Sequence, residues 1–141
     1  MVEKATLDDI VKLLPLVEEF SKEIGLDEYY DIKASAATLA ECIRSGICYR
    51  DSEYRGLIAG SAVRSPWSSQ VSILHEHVYF VRATARGGML GQMLLRAYAE
   101  DAKKWHLNSL KLMSTSPDIK KLYKSLGFTE AETTFMRFNG G

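Results

Sequence analysis

Little in this chain points to a special environment. Among 141 residues there are two cysteines, three prolines and three histidines, and 18 basic side chains cancel 18 acidic ones. Two thiols, Cys42 and Cys48, with no metal-ligand spacing around them exclude a disulfide scaffold and a zinc module, so no metal is expected. The zero net charge excludes a nucleic-acid binder, which needs a basic excess. No apolar run approaches the ~20 residues of a membrane-spanning helix. The charged start Met1-Val2-Glu3-Lys4 lacks the apolar core of a signal peptide, so the expectation is a cytoplasmic protein with no membrane partner. There is no low-complexity tract, no repeat and no linker. The 46% apolar content is that of an ordinary folded protein, and residues 1–141 read as one domain.

What is present is unevenly placed. Residues 1–70 hold 8 basic against 12 acidic side chains, and residues 71–141 hold 10 against 6. A basic second half suits an anionic ligand, and an acidic first half suits a cationic one.

Apolar spacing divides the chain into alternating element types. Ile10, Leu13, Leu14, Val17 and Phe20 predict a first helix, capped by Asp8 or Asp9, kinked at Pro15 and stopped by Gly25. A second helix fits Ala34 to Arg44. Ile47 to Arg50 and Leu57 to Val63 predict an antiparallel hairpin, and Val71 to Val81 a long strand. A helix from Gly88 to His106, a strand from Ser109 to Met113, a short helix from Pro117 to Ser125 and a last strand from Thr133 to Phe138 follow. The class is α/β: a mixed sheet, mostly antiparallel, with a central strand-helix-strand crossover.

The most informative stretch joins Val78-Tyr79-Phe80-Val81 to Arg86-Gly87-Gly88-Met89-Leu90-Gly91 at the start of a helix. Glycines let backbone approach a ligand, and the first N–H groups of a helix have no internal partner and favour negative charge. Arg86 adds a guanidinium fork suited to phosphate. Such a turn is an anion cradle or simply a glycine-softened corner with a surface arginine. Downstream lies Leu122-Tyr123-Lys124-Ser125-Leu126-Gly127-Phe128.

With both stretches in this order, the chain resembles the GNAT superfamily of acyl-CoA-dependent N-acyltransferases over nearly its whole length. Arg86 and Gly91 match the ends of the family's cofactor signature, while Met89 stands at its inner glycine and Ser116 where an asparagine is common. The resemblance implies acetyl-CoA held by Tyr79, Phe80, Val81, Arg86, Gly87, Gly88, Met89, Leu90, Gly91, Ser116 and Tyr123. In it, Tyr123 is the general acid for the departing thiolate, although a tyrosine there is also an ordinary core aromatic. Backbone groups of Tyr79 and Val81, at a splayed strand end, would face the acyl carbonyl and the pantetheine arm.

Acyl transfer to nitrogen needs a base, since alkylamines are mostly protonated at neutral pH. His75 and His77 are two apart on the long strand, hence on one face, with Glu76 on the other. Their spacing resembles the paired histidines of arylalkylamine N-acetyltransferases, although histidines there also simply fill a sheet face. Asp27, Glu28, Tyr29 and Tyr30 occupy the connector that covers substrate in the family, and they suit a cationic acceptor or a plain solvated turn. His106 reads as structural.

The expected function is direct acetyl transfer to an amine on a small molecule or protein; the alternative is a non-catalytic acyl-CoA-binding module on the same fold. A homodimer is left open.

Overall fold

A computed structural model describes residues 1–111 and 119–137. Five strands lie side by side in chain order: β1 (Val2–Lys4), β2 (Ile47–Asp51), β3 (Gly56–Arg64), β4 (Ser72–Val81) and β5 (Leu107–Ser109). The first four pair antiparallel. β5 runs parallel to β4, because the intervening helix α3 (Leu90–Asp101) carries the chain back to the same end of the sheet.

Alternation along the strands feeds two cores. Leu57, Ala59, Val78 and Phe80 pack under α1 (Ile10–Glu23) and α2 (Ile32–Ser45), against Leu13, Leu16, Leu39 and Cys42. Ile58 and Leu74 turn the other way, toward Leu90, Leu94, Leu95 and Tyr98 of α3 and Tyr123 of α4 (Ile119–Ser125). Each helix thus buries one apolar stripe and leaves its polar face to water.

The ends of the elements show which local forces prevail. The Asp9 carboxylate does not cap α1. It turns back to the Thr6 amide (2.8 Å) and is held by Arg50 (3.1 Å) and the Tyr54 hydroxyl (2.6 Å). Burial alone would raise its pKa, but these donors win and hold it at about 2. At the other end Gly25, at φ +77°, lets the Leu26 amide fold back to the Ser21 carbonyl. α2 begins two residues earlier than its apolar spacing suggests, since the Asp31 carboxylate caps the amides of Lys33 and Ala34.

Three expected elements differ. α3 begins at Leu90 because Gly87, at φ +94°, cannot be helical. It ends before a single 3-10 turn over Ala102–Lys104, and His106 is drawn to the start of β4, where its Nδ1 accepts from the Ser72 amide (3.0 Å). β5 lies two residues before the expected strand, because its register pairs Leu107 with Ile73; Leu112 and Met113 lie outside the described residues. Residues 133–137 carry no strand ladder, and Phe138 lies outside the described residues. The short β1, which pairs with β2, had no distinct sequence signal. Among the described residues no helix is long and apolar enough to cross a membrane.

Candidate active site

The site is built around an irregularity in β4. Ala59 faces Val78, yet the next residue, Gly60, faces Glu76, so His77 is an extra residue forming a β-bulge. Side chains on either side of a bulge change faces. Val78 and Phe80 therefore point to α1 and α2, while Glu76 and Leu74, also even-numbered, point to α3. Plain alternation would have put Tyr79 beside the histidines; the bulge places it on the α3 face.

His75 and His77 share the α1/α2 side, as expected, with ring centroids 5.8 Å apart. Ser61, opposite His75, brings its Oγ to 2.6 Å from His77 Nε2. Burial and then the Lys111 charge lower the pKa of both imidazoles, so both favour the neutral form. Glu41 of α2 acts oppositely on His77, as does Glu132 on His75.

Tyr123 lies on the opposite face, in the core with Leu74 and Tyr98. Its hydroxyl donates to the Lys111 carbonyl (2.8 Å), and burial followed by the Glu76 charge pushes its pKa up, keeping the phenol protonated. The histidines and the tyrosine thus flank β4 from two sides. The β4–β5 ladder stops at His75 and Ser109, so from Glu76 to Val81 the β5-side edge of β4 is not paired with β5. Among the described residues no strand pairs with this edge, which carries backbone groups of Tyr79, Phe80 and Val81.

Beside this part of β4 stands the N-terminus of α3. Met89 provides no side-chain cap, and its own side chain is 61% exposed. A Cβ added at Gly87 or Gly88 would meet nothing within 4 Å, which leaves the corner open to a ligand. Tyr79 steadies the corner from beneath, its hydroxyl donating to the Gly91 carbonyl. Leu90 is buried in the core.

Arg86 is not directed at this open corner. Its guanidinium holds Glu23 of α1 through two contacts (2.8 and 2.6 Å), and its Nε donates to the Val81 carbonyl (2.7 Å). Arg82 grips Glu19 in the same manner, Nη2 to Oε2 at 2.7 Å. A phosphate would have to compete with Glu23 for this fork.

The connector Leu26–Asp31 folds as one 3-10 turn over Asp27–Tyr29, with Asp27, Glu28 and Tyr29 exposed and the Tyr30 hydroxyl donating to the Leu14 carbonyl (3.4 Å). Ser116 lies outside the described residues. Among the described residues no cluster of three or more His, Cys, Asp or Glu is placed to hold a metal ion.

Reasoning from the sequence alone missed Glu76. It is 3% exposed, and burial pushes its carboxyl up to about 7 against the Lys111 charge and amide. A carboxylate between two histidines in an apolar strand was the available signal.

A mixed sheet with one parallel pair and an uncapped helix N-terminus beside it is the frame of an acyltransferase. Residues 10–128 match the model of the acetyltransferase (GNAT) family, and the chain belongs to that family. No curated protein matches it in sequence. Solved structures share the fold. An acetyltransferase candidate aligns with TM-score 0.75 and 17% identity, covering 100% of this chain and 99% of its own. A second, from Clostridium difficile 630, aligns at 0.71 with 16% identity over 99% and 96%. The aminoglycoside N-acetyltransferase AAC(6')-Iy in complex with CoA aligns at 0.68 with 15% identity over 100% and 95%.

Proposed function

We propose that this protein, acting as one domain, moves an acetyl group from acetyl-CoA directly to an amine beside β4, where its pairing with β5 ends. The observation that carries the reading is the placement of His75 and His77 on one side of β4 and Tyr123 on the other, at the point where pairing with β5 ends. Amine attack on a thioester requires a proton to leave the nitrogen and another to reach the departing sulfur.

The residues fit an extended anionic donor. The open Gly87-Gly88 corner and the first amides of α3 would hold the pyrophosphate, and the edge of β4 at Tyr79 and Val81, unpaired among the described residues, would meet the amide-bearing arm. Acetyl-CoA, when bound, supplies a thioester carbonyl open to attack. His77, neutral and held by Ser61, takes the amine proton, with His75 beside it as the second member of the relay. The Tyr123 phenol, kept protonated, gives its proton to the departing sulfur.

The acceptor is read as an amine on a small molecule or protein, the class named in the aminoglycoside N-acetyltransferase that shares the fold. A cationic acceptor would meet Asp27, Glu28, Tyr29 and Tyr30 of the α1–α2 connector. Two buried free thiols accord with a reducing, cytoplasmic setting.

The test is calorimetric titration with acetyl-CoA, then thiol release with a panel of amines. Binding with amine-dependent thiol release supports the proposal. Binding without release for any amine would leave a non-catalytic acyl-CoA-binding module, and no binding would end both readings.

A further inference from the structure

Ser61 of β3 is 4% exposed, and its hydroxyl lies against His77, the base of the acyl-transfer scheme. In the ladder its partner is His75, yet its Oγ reaches past that residue to Nε2 of His77 at 2.6 Å. The bulge makes this reach possible. His77 is the extra residue of β4, with no register partner on β3, and its side chain stands on the face that Ser61 also uses. Ser61 is held from α2 as well. That helix ends at Gly46, which lies so close to β3 that an added Cβ would overlap the Gly60 carbonyl oxygen and stand 2.8 Å from the Ser61 Cα. The backbone that carries the hydroxyl is thereby pinned between the end of α2 and β4.

A neutral imidazole has one N–H and one free lone pair, and the partner of one nitrogen decides which nitrogen is left as the base. Were Ser61 to donate to Nε2, that lone pair would be spent and Nδ1 would carry the hydrogen, leaving the ring nothing with which to accept. With Nε2–H donating to the Ser61 oxygen, Nδ1 keeps its lone pair. The same bond survives when the ring becomes imidazolium, and it is stronger then because its donor is charged. The serine has no need to reorient as the ring gains and loses its proton.

Resting on the reading of His77 as the base, we propose that Ser61 is a positioning residue that holds His77 in the Nε2–H form and so makes Nδ1 the atom that takes the amine proton. The amine N–H bond breaks as the Nδ1–H bond forms, and its electron pair stays on the nitrogen that attacks the thioester carbonyl. The ring then gives the proton from Nδ1 to water before the next turnover, while Nε2–H stays on Ser61 throughout. The titratable and charged groups that bear on this ring are His75 from β4, Glu41 from α2 and Lys111 from the segment after β5.

The experiment begins on the ligand-free protein, labelled with nitrogen-15 at histidine, with the His77 signals assigned from His77→Ala. At a pH where the ring is neutral, wild type should show the His77 hydrogen on Nε2 and a bare Nδ1. A His77 hydrogen on Nδ1 overturns the inference, and this spectrum decides even if Ser61→Ala does not fold. Thiol release from acetyl-CoA, with an amine of the panel that supports it, is then followed against pH. Ser61→Ala should turn over about tenfold more slowly than wild type, the scale of one hydrogen bond, with acetyl-CoA affinity unchanged. Its acid limb should move to lower pH, since the lost bond favours the imidazolium. A limb that moves to higher pH would show the serine donating to the ring, and an unchanged rate and limb would show it only filling space; either result overturns the inference. If His77→Ala keeps the wild-type turnover, the reading of His77 as base itself fails; a slow His77→Ala beside an unaffected Ser61→Ala removes only the role given to Ser61.

Discussion

Glu76 and Tyr123 are tied to the two backbone groups of a single residue: the Lys111 amide donates to the carboxyl, and the Lys111 carbonyl accepts from the phenol at 2.8 Å. The segment that leaves β5 thereby fixes both side chains on the α3 face of β4. Lys111 also brings its charge, which disfavours the protonated forms of His75 and His77 through the sheet. The site is thus organised by backbone on one face and by charge on the other.

This arrangement makes fold stability fall with rising pH. The Glu76 carboxyl is raised from the ordinary 4.5 to about 7, so its contribution is complete below the ordinary value and is lost as pH climbs through about 7. At ~1.4 kcal/mol per unit the loss is roughly 3 kcal/mol, an order-of-magnitude figure. Urea unfolding at mildly acidic and mildly alkaline pH should show it, and Glu76→Gln should flatten the dependence. Because the lowered pKa of His75 and His77 works in the opposite sense, the comparison decides: a Glu76→Gln protein with the wild-type pH dependence would contradict the burial argument.

Replacement of His77 by alanine should lower turnover ~10²- to 10⁴-fold while acetyl-CoA affinity stays near wild type. Because burial lowers its pKa, His77 is neutral and competent above that value and fails only as pH drops through it, so the acid limb of the rate profile belongs to this side of β4. Steady-state kinetics with calorimetry on His75→Ala, His77→Ala and the double variant would check this, and unchanged turnover in the double variant would remove the relay.

Arg86 and Glu23 offer a competition experiment. Glu23→Gln weakens the acid that now occupies the guanidinium and should tighten acetyl-CoA binding, whereas Arg86→Ala should weaken it, each by about tenfold for a half-exposed charge-assisted contact. Titration of both variants settles the sign. If neither affinity moves, the guanidinium serves only to fasten the turn to α1.

At Gly60 a methyl group would overlap the Tyr98 hydroxyl and come within 2.8 Å of the His75 carbonyl. Gly60→Ala should therefore cost about 1–3 kcal/mol of stability, the usual penalty of overpacking. Adding Tyr98→Phe removes one of the two overlaps and should restore part of the loss. Thermal unfolding of the single and double variants would reveal the coupling, and strict additivity would show that the two residues do not meet.

The parts of the fold written in repeating spacing were legible. Helical recurrence from Ile10 to Phe20 and strand alternation around Leu57 and Ile58 gave α1 and the hairpin, since each pattern answers to one buried face. His75 and His77 were correctly set on a common face, and Glu76 on the other. Two kinds of information were not legible. The bulge depends on how Ala59 and Gly60 register against Val78 and Glu76, a relation between strands that neither strand states alone. The capture of Arg86 by Glu23 joins residues 63 apart in sequence, and no local rule could choose Glu23 over a phosphate. The Asp9 carboxylate shows the same limit: its position resembles a cap, but Arg50 and Tyr54 arrive from elsewhere and claim it.

The single extra residue in β4 also makes the strand act as a phase shifter. Downstream of it, odd and even positions exchange faces, so the chemistry of the two faces is set by a count of residues as well as by their identities. Removal of one residue between Glu76 and Val78 would bring the two halves of β4 back into phase. With Val78 and Phe80 still anchored under α1 and α2, Leu74 and Glu76 would keep the α3 face by plain alternation, and what would be lost is His77 with its bond to Ser61. The bulge is thus what adds His77 to the side of His75 without moving any other side chain of β4 off its face, and substitutions that keep the length leave that phase intact.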